Sequence, residues 1–221
     1  MVWTTGWWDN GFGYASSKDL IAWGEQKYVP VNEKNKAKNT WAPELFYDAR
    51  KEQFLIMWSS TIPGAFPETD KGGDHNHRLY YTVTKDFQTF TPMKLLYNPG
   101  FNCIDGMLRK VGDKYVLFFK DERPGKKALR MATAGDPEGP YGPPSEPFTG
   151  DWVEGPSSTD IDGECYVYFD HYAAPHYYGA LKSADLVKWE DVSKKMSFPK
   201  DFRHGAVLRI SDAVLERLTG P

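Results

Sequence analysis

The sequence predicts an all-β fold, a five-bladed β-propeller, on three observations. A strand-end turn recurs along the chain. Four short motifs recur between those turns. The apolar runs are strand-length and rich in aromatic residues. Self-similarity at a period of tens of residues fixes architecture before any single residue does. A unit of about 50 residues fits four strands and their turns, which is one propeller blade.

The turn units come first. They read Tyr14–Trp23, Tyr81–Phe90 and Ala180–Trp189, with a weaker copy at Met131–Pro137. Each carries an Asp, at Asp19, Asp86, Asp136 and Asp185, where a small or hydroxylated strand end meets a turn. An Asp there bonds the backbone two residues on and closes the turn.

The inward motifs are Trp41–Glu44, Cys103–Gly106, Val153–Pro156 and Arg203–Gly205. They alternate with the turns at near-regular intervals. The exception is the second unit, which carries an insertion from about Thr61 to Arg78. Extending the same interval back from Asp19 puts an inner motif before Met1. The first blade is therefore expected to lack its innermost strand, the chain to read as truncated at its N-terminus, and the last blade to be incomplete. One domain over 1–221 follows, with blades near 1–35, 36–97, 98–148, 149–197 and 198–221.

The strands themselves are Phe54–Trp58, Leu79–Val83, Tyr115–Phe119 and Tyr166–Phe169. Aromatic residues make up 15% of the chain, including 8 Trp, and strands take such residues readily. No run approaches the length of a membrane span. A net charge of −3 gives no electrostatic case for nucleic acid. Two cysteines, Cys103 and Cys165, are too few for a disulfide framework and read as buried thiols. No secretory leader is read at the start, so a cytoplasmic location is the expectation.

Asp105 and Glu154 come from adjacent inner strands and His204 from the next, so all three are expected around one axial pocket. Two carboxyl groups flanking a pocket are the minimum for glycoside hydrolysis. A neighbouring negative charge is expected to raise the pKa of the acid. A carboxylate on an inner strand can equally do no more than bond backbone amides, and the residues leave both readings open. Strand direction places four loops on the same face: Trp7–Gly11, Ile62–His77, Asp121–Lys127 and Ala173–Tyr177. Trp7, Trp8 and Trp41 there could stack on a sugar or pack between blades. His75 and His77, near Asp70 and Asp74, read as either a metal set or solvated loop side chains.

The chain resembles glycoside hydrolase family 43 in Ser17–Leu20, Trp41–Glu44, Phe101–Gly106, Val153–Ser157 and Arg203–Gly205. These segments cover nearly its whole length. The resemblance implies a five-bladed propeller hydrolase of arabinose- and xylose-containing polysaccharides or oligosaccharides, an α-L-arabinofuranosidase or β-xylosidase acting with inversion. It implies Glu154 as general acid and Asp105 as the group that tunes its pKa. It implies a sugar site of Trp41, Arg203, His204, Trp7, Trp8 and Phe101. No cofactor is required, and a structural calcium ion at the axis, reached from His204 through water, is part of the expectation. The family's general base stands on the innermost strand of the first blade, which this chain lacks. Low activity is therefore expected. Three explanations stay open: truncation, another carboxylate (Asp9, Asp121 or Glu122), or a partner chain or rearranged terminus in the vacant groove. Open strand edges invite pairing, so a homo-oligomer is expected. The alternative function is a non-catalytic carbohydrate-binding propeller.

Overall fold

A computed structural model describes residues 1–72 and 75–220. Four antiparallel meanders surround one axis. The first is β1 (Val2–Thr4), β2 (Phe12–Tyr14) and β3 (Lys27–Val29). The second is β4 (Trp41–Asp48), β5 (Gln53–Ser60), β6 (Arg78–Thr84) and β7 (Lys94–Tyr97). The third is β8 (Cys103–Val111), β9 (Lys114–Asp121) and β10 (Ala128–Ala134). The fourth is β11 (Val153–Ile161), β12 (Glu164–His171), β13 (Tyr177–Ser183) and β14 (Glu190–Asp191). β2 precedes the Asp19 turn as β6 precedes the Asp86 turn. The first blade thus holds its second to fourth strands, and β1 stands at the axis.

The repeated turns are built alike. The carboxylate oxygen Oδ1 of Asp19 accepts the Ile21 and Ala22 amides at 3.0 and 2.9 Å. Asp86 Oδ1 does the same for Gln88 and Thr89, and Asp185 Oδ1 for Val187 and Lys188, all at 2.8 Å. The preceding Ser17, Thr84 and Ser183 hydroxyls accept the amides of Leu20, Phe87 and Leu186. Those three residues lie in the left-handed region, with φ of 64°, 54° and 60°. The side-chain bonds hold a conformation that is otherwise costly without glycine.

The third blade has no fourth strand among the described residues. The Pro-rich stretch runs beside β10 instead. The amides of Gly142, Ser145 and Phe148 donate to the carbonyls of Thr133, Met131 and Leu129. Pro140, Pro143, Pro144 and Pro147 have no N–H, so a regular ladder cannot form there.

The core lies between blades. Along β9, Leu117 and Phe119 face Leu55, Met57 and Leu79 of the second blade, while Val116 and Phe118 face Val167 and Phe169 of the fourth. Both faces are buried, which is why this strand reads as an unbroken apolar run. Phe12 and Val29 close against Ile56 and Trp58 in the same manner. Each such side chain contributes about 1.5–3 kcal/mol by burial. Cys103 and Cys165 are buried free thiols, as expected.

The fifth unit is incomplete, as expected, but the inner strand expected to carry His204 is not formed. Residues 198–211 form no strand, and α1 (Asp212–Thr219) follows them. The segment runs beside β11, where the Val207 amide donates to Ser157 Oγ at 2.9 Å and Arg209 Nη2 to the Asp160 carbonyl at 2.6 Å. It takes the place of an inner strand, and nothing in the described residues pairs with its outer edge in a ladder.

Candidate active site

The inner strands share a local distortion beside Trp41, Asp105 and Glu154. β4, β8 and β11 each carry a bulge, between Trp41 and Glu44, Ile104 and Met107, and Glu154 and Ser157. At each bulge one residue is left-handed: Ala42 (φ 46°), Asp105 (φ 55°) and Gly155 (φ 58°). His204 (φ 43°) repeats the feature in the fifth unit. A bulge leaves one residue unpaired and re-aims its side chain, here toward the axis. The freed amides tie one blade to the one before it. Ala42 donates to Thr4 Oγ1 (3.0 Å), Asp105 to Ser59 Oγ (2.9 Å) and Gly155 to Asp105 Oδ2 (3.0 Å). At Gly155 a Cβ would come within 3.0 Å of the His204 ring, so glycine there leaves room for the imidazole.

The expected convergence is present. Asp105, Glu154 and His204 each offer an atom within 4.8 Å of the others. They line a cavity of about 700 Å³ together with Trp41, Trp7 and Arg203. A second, axial cavity of about 290 Å³ lies beyond it and shares Thr4, Ala42, Asp105 and His204. Glu44 lines that axial space, where burial pushes its carboxyl up to about 7.

The electrostatics run opposite to the expectation for Glu154. Burial works to raise its pKa, but cationic neighbours outweigh it. Lys120 Nζ donates to Oε2 at 2.8 Å, Arg203 Nη2 to Oε1 at 2.8 Å, and His204 Nε2 stands 3.1 Å from Oε1. The carboxyl is held at about 2. His204 is raised to about 9, because Glu154 and Asp105 overcome the effect of its burial. Asp105 itself is shifted up by burial, against the pull of His204 and Lys120. The neighbouring negative charge is therefore the minor influence on Glu154, and the cations around it decide its state.

The remaining candidates divide. Trp41 donates its indole N–H to the Trp7 carbonyl at 2.6 Å, and the Trp7 ring sits 4.7 Å from it. Trp8 packs on both rings, 5.8 Å from Trp41, but does not line the cavity. Phe101 is not at the site: it lies beneath Arg123 at 3.7 Å and packs into the core beside Phe119. Of the alternative carboxylates, Asp9 accepts from Thr5 Oγ1, and Asp121 is buried between Arg123 and Arg130. Only Glu122 of the three lines the cavity, paired with Lys120 and Lys127. His77 is fully buried, stacked on Trp41 at 4.6 Å, and burial lowers its pKa to about 3. It is neither a solvated loop residue nor, among the described residues, part of a cluster of potential metal ligands with Asp70. Asp74 lies outside the described residues. No residue of the Ala173–Tyr177 loop lines this cavity, and His176 and Tyr177 line a different one that shares Arg203 with it.

Sequence reasoning missed Lys120, Tyr172 and Trp152. Lys120 is buried and its ammonium lies 4.3 Å from the Tyr172 ring. Its signal was a lysine closing the apolar run of β9. Asp170, which accepts from Arg203 Nε at 2.6 Å, pairs with Glu154 across β11 and β12 and orients that guanidinium.

A family described as "Probable glycosyl hydrolase domain", related to glycoside hydrolase family 43, matches residues 12–216. An alpha-L-arabinofuranosidase of Bifidobacterium longum is 31% identical over 103 residues, covering 44% of this chain and 10% of that protein. The family 43 protein BlXynB of Bacillus licheniformis superposes with a TM-score of 0.71 at 18% identity, over 93% of this chain and 43% of its own. A xylan beta-1,4-xylosidase of Bacillus halodurans gives 0.69 at 18%, over 96% and 44%. These structural likenesses show the shared fold, and the chain spans less than half the length of each of these three relatives.

Proposed function

From the premise that the chain belongs to this family of glycosyl hydrolase domains, we propose that it is a glycosidase of arabinose- or xylose-containing oligosaccharides and polysaccharides. The observation that carries the reading is the shared cavity of Asp105, Glu154 and His204 beside Trp41 and Trp7. The names of the relatives, arabinofuranosidase and xylosidase, supply the substrate class. Glu154 is the general acid in this reading. The proton it delivers resides on His204 in the free site, 3.1 Å from Oε1, and passes to Glu154 as the leaving oxygen arrives. Asp105 holds the imidazolium in place by its charge. Asp105 and Glu154 approach within 4.8 Å, closer than the roughly 6.5–9.5 Å that an acid and base need to admit a water in an inverting reaction. The base is therefore a different group. Among the described residues Glu122 is the remaining carboxyl that lines the cavity. Lys120 and Lys127 already engage it as ion-pair partners, and slow turnover belongs to this proposal.

A calcium ion fits this donor set poorly. Calcium takes six to eight oxygen ligands. The cluster offers two carboxylates, and Lys120 and Arg203 already occupy Glu154. No step is assigned to a metal.

Glu154 held at about 2 favours a second reading, a propeller that binds carbohydrate without cleaving it. Nitrophenol release from p-nitrophenyl arabinofuranoside or xyloside separates the two. Release abolished by Glu154→Gln supports the enzyme. Binding of a pentose oligosaccharide with no release supports the binder. Homo-oligomerisation through the open edges of β1 and residues 205–211 belongs to the same proposal, and light scattering that returns the mass of one chain would overturn it.

A further inference from the structure

Trp152 is the large aromatic that neither the core nor the described chemistry uses. It is half exposed and left-handed, with φ 63°. Its backbone is fixed on both sides. Its carbonyl accepts the Tyr172 amide at 3.0 Å, and the next amide, Val153, donates to the Lys127 carbonyl at 3.0 Å. Tyr172 meets its ring edge-on at 5.6 Å. The half-exposed ring thus stands on a hydrogen-bonded backbone in a costly conformation, and such conformations cluster at ligand sites.

Position says which partner. Trp152 stands two residues before Glu154 and lines the same cavity as Trp7 and Trp41. An acid that protonates a glycosidic oxygen must lie at the face of the cleaved ring from which that oxygen projects, and the departing sugar extends from the oxygen on that side. The departing ring thus meets the wall that carries Glu154. Sugar rings present an apolar face of C–H bonds, and an exposed indole offers a matching flat apolar surface beside polar groups. Here Lys127 and Glu122 provide those groups.

We propose that Trp152 is the platform for the sugar on the leaving-group side, so that the site selects a linked pair of sugar rings over a single terminal sugar. The assignment of sides rests on Glu154 as the acid. The selection itself is a binding property and can be tested without turnover.

The experiment is calorimetric titration of arabinotriose and xylotriose, and of the corresponding monosaccharides, into Glu154→Gln protein with Trp152 intact, with Trp152→Ala and with Trp152→Phe. The expected result is that Trp152→Ala lowers the ratio of triose to monosaccharide affinity about tenfold and that Trp152→Phe restores most of it. An unchanged ratio, failure of the phenylalanine to restore it, or no triose binding with Trp152 intact, in this background and in the wild type, overturns the proposal. Nitrophenol release by the wild type is scored separately. Trp152-dependent binding without release leaves the platform standing and removes the hydrolase reading. Release with an unchanged ratio does the reverse.

Discussion

Lys120 Nζ lies 2.8 Å from Glu154 Oε2, and the same ammonium lies 2.8 Å from Glu122. One buried cation thus sits between two of the carboxylates that line the cavity. Burial works against the Lys120 charge, but Glu154, Glu122 and Asp105 outweigh it and raise the lysine pKa, and the ammonium in turn favours the ionised form of Glu154.

Replacing Lys120 by Met should raise the Glu154 pKa from about 2 toward its ordinary range. The carboxyl resonance in a carbon-13 NMR titration reads this directly. Stability at pH 7 should fall by about 2–3 kcal/mol, since two carboxylates lose a charged donor while Arg203 and Lys127 stay. An unmoved Glu154 resonance would remove Lys120 from control of the site.

The Glu154–His204 pair should shape stability at both ends of the pH scale. Glu154 is depressed from 4.5 to about 2, so its contribution is present above about 4.5 and is lost as pH falls toward 2. His204 is raised from 6.5 to about 9, so its contribution is complete below 6.5 and is lost as pH rises through 9. Urea midpoints followed from pH 2 to 10 should show both declines. In His204→Gln the alkaline decline should shrink, and equal declines in the two proteins would contradict the pairing.

Asp105→Asn should lower the His204 pKa below its value of about 9, because the Asp105 charge is one of the influences that raise it. Proton NMR of the imidazole measures the shift. Activity, if present, should lose its alkaline limb at a lower pH. A His204 titration identical to wild type would assign Asp105 to backbone bonding alone.

Phe119→Ala should cost about 3–5 kcal/mol, as Phe119 is fully buried between the second and third blades. Asp86→Ala should cost about 1–2 kcal/mol, through loss of its bonds to Gln88 and Thr89. Chemical denaturation ranks the two, and the reverse order would argue against inter-blade packing as the main source of stability.

Much of this was legible in the sequence. The turns at Asp19, Asp86 and Asp185 carry their own hydrogen bonds, so local chemistry fixed the repeat. The repeat in turn brought Asp105, Glu154 and His204 together. What escaped was relational. Aligning the acids as equivalents concealed a one-residue offset: Asp105 occupies the bulge in β8, whereas Glu154 precedes the bulge in β11 and Gly155 occupies it. Lys120 comes from a second strand, and its partners are visible only once β9 lies beside β11. Phe101 sits next to an inner motif in sequence, but Arg123 and Phe119 draw it outward. The segment after His204 follows β11 through side-chain bonds, which no strand pattern announces.

The recurring left-handed kink gives the ring a modular character. Ala42, Asp105, Gly155 and His204 occupy equivalent sockets whose backbone is shaped before any side chain is chosen. Chemistry at the hub is thus separable from architecture: a methyl, a carboxyl, a bare backbone and an imidazole are seated in interchangeable mounts. Ala42 and Gly155 carry no reactive group, and since a Cβ at Gly155 would crowd the His204 ring, Ala42 is the natural place to install one without redesigning the wheel.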